Sequence, residues 1–255
     1  MTVTARALDG FVLAEGATAE WTHEFSTEGG GEVPQPPSSA AEFHLSDNWR
    51  GTTHHFFKYG RIADEVFVGD WDGDGTDSIA VRRGNVFHVS NAPRGGDADW
   101  TFRYGRAGDT VLVGDWNGDG SDTFAVRRGS EFHVKNHLLG GDADVVFNYG
   151  RADDDVLVGD WDGDGLDTLA VRRGNVYHVR NSVTGGPADQ VFRYGRAGDV
   201  TLVGDWNGDG LDTMAVRRGA TYHVKNSLTG GDADLRVTFG RANDEVFVGD
   251  WNGDG

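Results

Sequence analysis

Val68-Gly69-Asp70-Trp71-Asp72-Gly73-Asp74-Gly75 is followed by Ala80-Val81-Arg82-Arg83-Gly84 and then by Phe87-His88-Val89. These phrases return in the same order and at the same distances further along the chain. The aspartate phrase recurs at 113–120, 158–165, 203–210 and 248–255, each time with Asp or Asn at its fifth residue. Ala-Val-Arg-Arg-Gly recurs at 125–129, 170–174 and 215–219, and the aromatic-His-Val triplet at 132–134, 177–179 and 222–224. Tyr59-Gly60-Arg61, Tyr104-Gly105-Arg106, Tyr149-Gly150-Arg151, Tyr194-Gly195-Arg196 and Phe239-Gly240-Arg241 mark a strict 45-residue step. A repeat of that length, kept without slippage, means one supersecondary unit copied along the chain.

Within a unit, four short segments alternate apolar and polar residues or carry β-branched and aromatic side chains: about 65–70, 78–83, 86–91 and 99–104 in the first. Asp72-Gly73-Asp74-Gly75, Arg83-Gly84-Asn85 and Pro93-Arg94-Gly95-Gly96 separate them as turns. Glycines and turn clusters leave no room for a helix of ordinary length. Four strands per 45 residues predict an all-β fold, a β-propeller of four-stranded blades; an open solenoid fits less well, since four strands exceed a typical rung. Residues 43–58 read as a half-copy supplying the last two strands of a blade, and 239–251 supply a first strand. Joined across the ring they make an incomplete blade without its Ala-Val-Arg-Arg-Gly strand, so about five blades are expected, with the C-terminus read as a truncation inside a turn. The expected domains are an N-terminal segment of unknown role, 1–25; a Gly/Pro/Ser-rich linker, 26–42; and the propeller, 43–255.

Composition narrows the function classes. Forty glycines without a Gly-X-Y period exclude a collagen rod, and 37% hydrophobic with 11% aromatic residues exclude wholesale disorder. A formal charge of −18 repels phosphate backbones and anionic lipid headgroups, so neither nucleic acid nor membrane is an expected partner. No apolar run is long enough for a transmembrane helix. The absence of cysteine removes disulfides, thiol nucleophiles and cysteine-zinc sites. The first nineteen residues lack the basic end and apolar run of a signal peptide.

The aspartate phrase carries the chemistry. Carboxylates at positions 1, 3 and 5 of a tight turn aim oxygens at one centre, Gly at position 6 permits a positive φ, and position 7 offers a carbonyl. Hard oxygen ligands in that number suit Ca²⁺, about one per complete loop. The candidate ligands are Asp70, Asp72, Asp74, Thr76 and Asp77; Asp115, Asn117, Asp119, Ser121 and Asp122; Asp160, Asp162, Asp164, Leu166 and Asp167; Asp205, Asn207, Asp209, Leu211 and Asp212; and Asp250, Asn252 and Asp254. Two carboxylates about 4 Å apart repel by roughly 1 kcal/mol even at the dielectric constant of water. Several in one turn therefore favour a divalent cation over an empty loop, and the loops with Asp72 and Asp162 should bind more tightly than those with Asn117 and Asn207. Ordinary Asp-Gly turn chemistry accounts for one or two acidic residues per turn, not for this order in four complete copies.

The loop is not an EF-hand, because Val81 stands where that motif needs a bidentate Glu. It resembles the DxDxDG calcium loop of the FG-GAP/VCBS repeat family over 43–255, and the resemblance implies an integrin-type calcium-binding β-propeller. Family loops place a closing Asp at position 9. Here Ser78, Thr123, Thr168 and Thr213 stand there, and Asp occupies position 8. The position-8 aspartates bind metal directly, bind it through water, or cap the turn.

Other repeated groups have blander readings beside sharper ones. Trp71, Trp116, Trp161, Trp206 and Trp251 pack between blades or offer sugar-stacking faces. One arginine of each pair (Arg82-Arg83, Arg127-Arg128, Arg172-Arg173, Arg217-Arg218) is expected to balance the acidic loops and the other to be solvated. His88, His133, His178 and His223 are strand-packing or surface histidines. No catalytic residue is nominated, because a catalytic centre needs a few unlike groups and nearly every candidate here is repeated. The resemblance implies a non-catalytic module, a monomeric part of a larger secreted or cell-surface bacterial protein, binding protein or carbohydrate. A targeting module of a cell-wall hydrolase or peptidase, and a ligand-free spacer, are the alternatives. Extracellular calcium modules bind in the range of about 10⁻⁴–10⁻³ M, which points outside the cell.

Overall fold

The computed structural model describes residues 2–4, 20–22, 40–45 and 53–253. The chain divides into two compact units, Met1–Pro37 and Ser38–Gly255. In the first, β1 (Thr2–Thr4) pairs antiparallel with β2 (Glu20–Thr22). The rest of the N-terminal segment, nearly all of the linker, and Asp254 lie outside the described residues.

The second unit is all strand and turn. It begins with a hairpin of β3 (Ala41–Leu45) and β4 (His55–Tyr59), followed by four sheets of four strands each. The first sheet is β5 (Glu65–Gly69), β6 (Ser78–Arg83), β7 (Val86–Val89) and β8 (Trp100–Arg103). The second is β9 (Thr110–Gly114), β10 (Thr123–Arg128), β11 (Glu131–Val134) and β12 (Val145–Asn148). The third is β13 (Asp155–Gly159), β14 (Thr168–Arg173), β15 (Val176–Arg180) and β16 (Gln190–Arg193). The fourth is β17 (Val200–Gly204), β18 (Thr213–Arg218), β19 (Thr221–Val224) and β20 (Leu235–Thr238). Each is an antiparallel meander in sequence order.

The second strand of each sheet explains its sequence. It lies between the first and third strands, and Ser78–Arg83 is buried at every position but the last. A strand covered on both faces reads as a continuous apolar run, hence Ile-Ala-Val. Its turn to the third strand has two residues, and Gly84 at the first of them has φ 64°, the left-handed conformation that a type II′ hairpin requires there. Small Ala80, Ala125, Ala170 and Ala215, all fully buried, leave room for the large side chains that meet over them. Between the first two sheets Phe87, Phe124 and Trp71 converge, with Trp71 stacked on Phe124 at 4.9 Å and Phe87 4.4 Å from Phe124. Each such ring contributes roughly 1.5–3 kcal/mol by leaving water. The cores therefore sit between sheets, and Trp71, Trp116 and Trp161, 3–4% exposed, belong to them and offer no face to a sugar.

The sheets stand around an axis. First strands touch first strands, β5 on β9, β9 on β13, and β13 on β17. The circle then closes through the C-terminal segment. Val248 approaches Gly204 of β17, while Asp250 is hydrogen-bonded to Asp77 beside β5. This is a β-propeller with four complete blades. The expectation of about five is corrected: the fifth place holds the hairpin β3–β4 and residues 245–249, which form no ladder among the described residues. The physical reason is that no second strand lies between them among the described residues. Edge segments without a central neighbour cannot build a sheet.

Candidate functional site

Two sets of groups repeat around the ring, at opposite ends of the second strands. At one end lie the aspartate loops. The Asp70 carboxylate accepts backbone N–H bonds from Gly73 (2.8 Å), Asp74 (3.2 Å) and Gly75 (2.8 Å), and Asp74 accepts from Thr76 N–H at 2.8 Å. The same bonds recur at Asp115, Asp160 and Asp205. Gly73 and Gly75, with φ of 74° and 85°, let the chain wrap this carboxylate. Position 1 thus organises its own turn, whatever else it binds.

In the first and third loops, positions 1, 3 and 5 come together. Asp70, Asp72 and Asp74, and likewise Asp160, Asp162 and Asp164, each offer an oxygen within 4.8 Å of the other two. Oxygens bound to one Ca²⁺ at 2.3–2.6 Å lie at most about 5 Å apart, so the separations fit that ion. The second and fourth loops differ. There Asn117 Nδ2 donates to Asp119 Oδ2 and Asn207 Nδ2 to Asp209 Oδ2, both at 2.9 Å. An amide N–H occupies the carboxylate, and the side chain must turn over to present its oxygen to a cation. Loops one and three, with three carboxylates each, are the better-formed sites. In them Asp72 and Asp162 also accept from Asn91 and Asn181 in the loop after the third strand.

The position-8 aspartates stand elsewhere. Asp122 N–H donates to Asp70 O at 2.7 Å, and Asp122 Oδ2 accepts from Asp70 N–H at 2.9 Å. Asp167 holds Asp115, Asp212 holds Asp160, and Asp77 holds Asp250 in the same way. Each is a two-bond clasp from one blade to its neighbour, outside the carboxylate clusters. At position 9, the buried Ser78 hydroxyl donates to Ser90 O, so it too points away from the loop centre. The clasp explains the Gly before each aspartate: a Cβ on Gly114 would stand 2.8 Å from Val158 and 2.9 Å from Asp167. This function of position 8 went unread in the sequence. Its signal was the fixed offset between a Val-Gly-Asp and an Asp one unit further on.

Burial and neighbouring carboxylates raise these clasp groups. Asp167 is pushed up to about 7, Asp77 and Asp212 to about 6, and Asp122 well above the ordinary range. An acid whose folded pKa is raised binds more protons folded than unfolded between about 4 and its folded value, so stability falls as pH rises through that window. Asp109, Asp154 and Asp199 behave oppositely: burial raises them, but Arg128, Arg173 and Arg218 outweigh it and hold them below the usual range. Their contribution is lost as pH falls through their folded values. In the presence of a chelator, the melting temperature should therefore rise by several degrees between pH 7.5 and 5 and drop again in stronger acid. Asp167→Asn, which keeps an oxygen for Asp115 N–H, should flatten the rise; an unchanged slope in that variant would contradict the assignment.

At the other end lie the arginines, and neither member of a pair serves the acidic loops or is simply solvated. Arg82, 3% exposed, crosses to the next blade. It donates to Gly84 O, Asp109 O, Arg106 O and Ala107 O at 2.6–3.2 Å while lying 5.8 Å above the Phe87 ring. Arg83 makes a bidentate pair with Asp64, both bonds 2.7 Å. The expectation failed because strand alternation shows which face a side chain takes, not what turn the neighbouring blade brings to the strand end. The histidines line the same end, with His133 Nε2 3.1 Å from Arg128 Nη1 and 2.7 Å from Glu131 Oε1. Among the described residues they form no metal-ligating group.

Between the first and second blades this end opens into a cleft of about 220 Å³, lined by Tyr104, Arg106, Val126, Arg128, His133 and Asp142. Tyr104 spans it, its hydroxyl donating to His133 O at 2.9 Å. Tyr149 and Tyr194 make the same bond in the next two junctions.

No protein-family model and no curated protein matches the chain. Among solved structures, an Agrocybe aegerita lectin described by its specific recognition of non-reducing terminal N-acetylglucosamine is similar at 15% sequence identity, with a TM-score of 0.43. The likeness covers 70% of this chain and 52% of that one, so the chain spans about half the length of the structure it matches.

Proposed function

We propose that this chain is a non-catalytic recognition module, a calcium-braced β-propeller of FG-GAP/VCBS type in a secreted or cell-surface protein, binding carbohydrate or protein ligands. The observation that carries the metal reading is the pair of three-carboxylate clusters at Asp70–Asp72–Asp74 and Asp160–Asp162–Asp164, whose separations fit one ion each. Calcium would neutralise these loops, which stack around one end of the ring, and so hold neighbouring blades together. At millimolar calcium and a dissociation constant of about 0.1 mM, each site adds about 1.4 kcal/mol. Such sites fill outside the cell and stay empty at cytosolic calcium levels.

The recognition reading rests on the cleft between the first and second blades and on the tyrosine bond that recurs at the next two junctions. A donor-rich, partly aromatic cleft with Arg106, His133 and Asp142 offers polar groups to hydroxyls and amides; its arginine and histidine recur as Arg151 and His178 and as Arg196 and His223, whereas Pro187 stands in the place of Asp142 one unit on. Several similar weak sites would give avidity toward a repeated ligand such as a glycan or a cell-wall polymer. The test is retention on a glycan array and on cell-wall material, with wild type beside Arg106→Ala/Arg151→Ala/Arg196→Ala. Saturable binding that the triple variant loses, with its fold intact by circular dichroism, is expected. No retention, or equal retention of the variant, would leave the module a spacer or move its ligand to another surface.

A further inference from the structure

The blade junctions share one frame but differ in charge, and the junction between the second and third blades stands apart. There Tyr149 donates to His178 O at 2.9 Å, Arg173 pairs with Asp154 at 2.6 and 2.7 Å, and Arg173 Nη1 lies 3.3 Å from His178 Nε2. Tyr104, Arg128, Asp109 and His133 make the same contacts one unit back, at the cleft of about 220 Å³. Arg151 takes the place of Arg106. It is exposed, and among the described residues its guanidinium has no hydrogen bond or ion pair. Burial first, and the charges of Arg173 and Arg151 after it, hold the His178 imidazole below its ordinary value. The ring is therefore neutral at pH 7 and can donate or accept.

Two residues of the following loop change the sign of the surroundings. Pro187 stands where the other units carry Asp97, Asp142 and Asp232, so the acid that lines the cleft one unit back has no counterpart. Arg180 replaces Lys135 and Lys225, which pair with Asp144 and Asp234 at 3.0 Å. The Arg180 fork meets Asp189 at 3.2 Å and also donates to Thr184 Oγ1, Gly185 O and Pro187 O at 3.1–3.3 Å. A Cβ on Gly186, the counterpart of the cleft-lining Gly141, would stand 3.2 Å from Arg180 Nη2. A guanidinium is thus fixed in the loop that supplies a carboxylate one unit back. The tyrosines register the difference. Burial pushes Tyr104, Tyr149 and Tyr194 up to about 12, and the leading charge acting on Tyr149 is Arg180, whereas on Tyr104 and Tyr194 it is Asp144 and Asp234.

Resting on the reading of the junctions as a recognition surface, we infer that the junction between the second and third blades binds the carboxylate of an acidic sugar residue, with Arg151 as its bidentate partner. An unpaired planar fork beside a neutral imidazole, with a second guanidinium in the loop and no opposing acid, suits a singly charged oxyanion. A polyanion is disfavoured by the net charge of −18. The cleft one unit back is smaller than the roughly 300–1,000 Å³ of drug-sized sites, room for about one ring. A sugar is favoured over an acidic peptide because its ring hydroxyls can use the imidazole while its carboxylate takes the arginine.

The test titrates the full chain by calorimetry with a hexuronate oligosaccharide and with its carboxyl-reduced counterpart, which differs only in the acid group. The uronate should bind about tenfold more tightly. That preference should fall to about twofold or less in Arg151→Ala and in Pro187→Asp, each with its circular dichroism unchanged. Aspartate is tolerated in this turn, since three other units carry it there. Equal affinity for the two oligosaccharides would overturn the inference and leave the recognition reading standing, whereas binding of neither would remove both. A preference that survives intact in both variants, or a glutamate-rich peptide that competes as well as the uronate, would also overturn it.

Discussion

Arg82→Ala should cost about 3–5 kcal/mol of unfolding free energy, the largest single-residue loss expected in the ring. The guanidinium is buried, satisfied by four carbonyls, and seated over Phe87. Removing it strips donors from carbonyls of the turn at 106–109, including the buried bond to Asp109 O. It also leaves a gap at a blade junction. Lysine should rescue little, because one ammonium cannot reproduce a planar fork addressing four acceptors. Arg83→Ala is the internal control. Arg83 is charged and close by, and its own side chain is 32% exposed while the Asp64 carboxylate it pairs with is 3% exposed, so an intermediate loss of about 1–3 kcal/mol is expected, smaller than at Arg82. Equilibrium urea unfolding of the three variants measures this; equal losses at the two positions would contradict the cage.

Gly114→Ala should destabilise by about 1–3 kcal/mol while Gly204→Ala is nearly silent. Both residues end a first strand and precede the aspartate of a loop. The added Cβ at Gly114 meets Val158 at 2.8 Å and the Asp167 side chain at 2.9–3.0 Å, and the only relief is to open the clasp. At Gly204 the nearest atoms stand at 3.3–3.5 Å and no clasping aspartate is among them, so a small shift suffices. The identical local sequence, Leu-Val-Gly-Asp-Trp-Asn-Gly-Asp-Gly, makes the pair a direct test of the clasp, because propensity and turn type are the same. Thermal melts of both variants are enough, and matching shifts would remove the clasp from the account.

These two cases show how far a single sequence reaches. The strict spacing and the turn residues make the four-strand unit legible, and each predicted strand of the first blade lies within two residues of an observed one. The convergence of positions 1, 3 and 5 was legible as well for the first and third loops, where it arises through local geometry alone. What stayed hidden depends on how blades meet. Asp122 and Asp70 are 52 residues apart and share no local pattern, so a clasp looks like a fourth ligand. Arg82 finds its acceptors 24–27 residues ahead, on a turn whose position no periodicity reveals. The blade number differs for another reason: both halves of a fifth blade, and the lack of its Ala-Val-Arg-Arg-Gly strand, were visible in the sequence, but without an inner strand the halves form no common ladder among the described residues.

The metal reading stands or falls on a melt of wild type and of the double variant Asp72→Ala/Asp162→Ala, each in 1 mM calcium and in EDTA at pH 7.5. Two filled loops should add about 3 kcal/mol, which for a domain of this size raises the wild-type midpoint by roughly 6–12 °C. The double variant should show little of that shift. Coincident wild-type curves in calcium and in EDTA would contradict the account, as would a shift that persists undiminished when both carboxylates are gone.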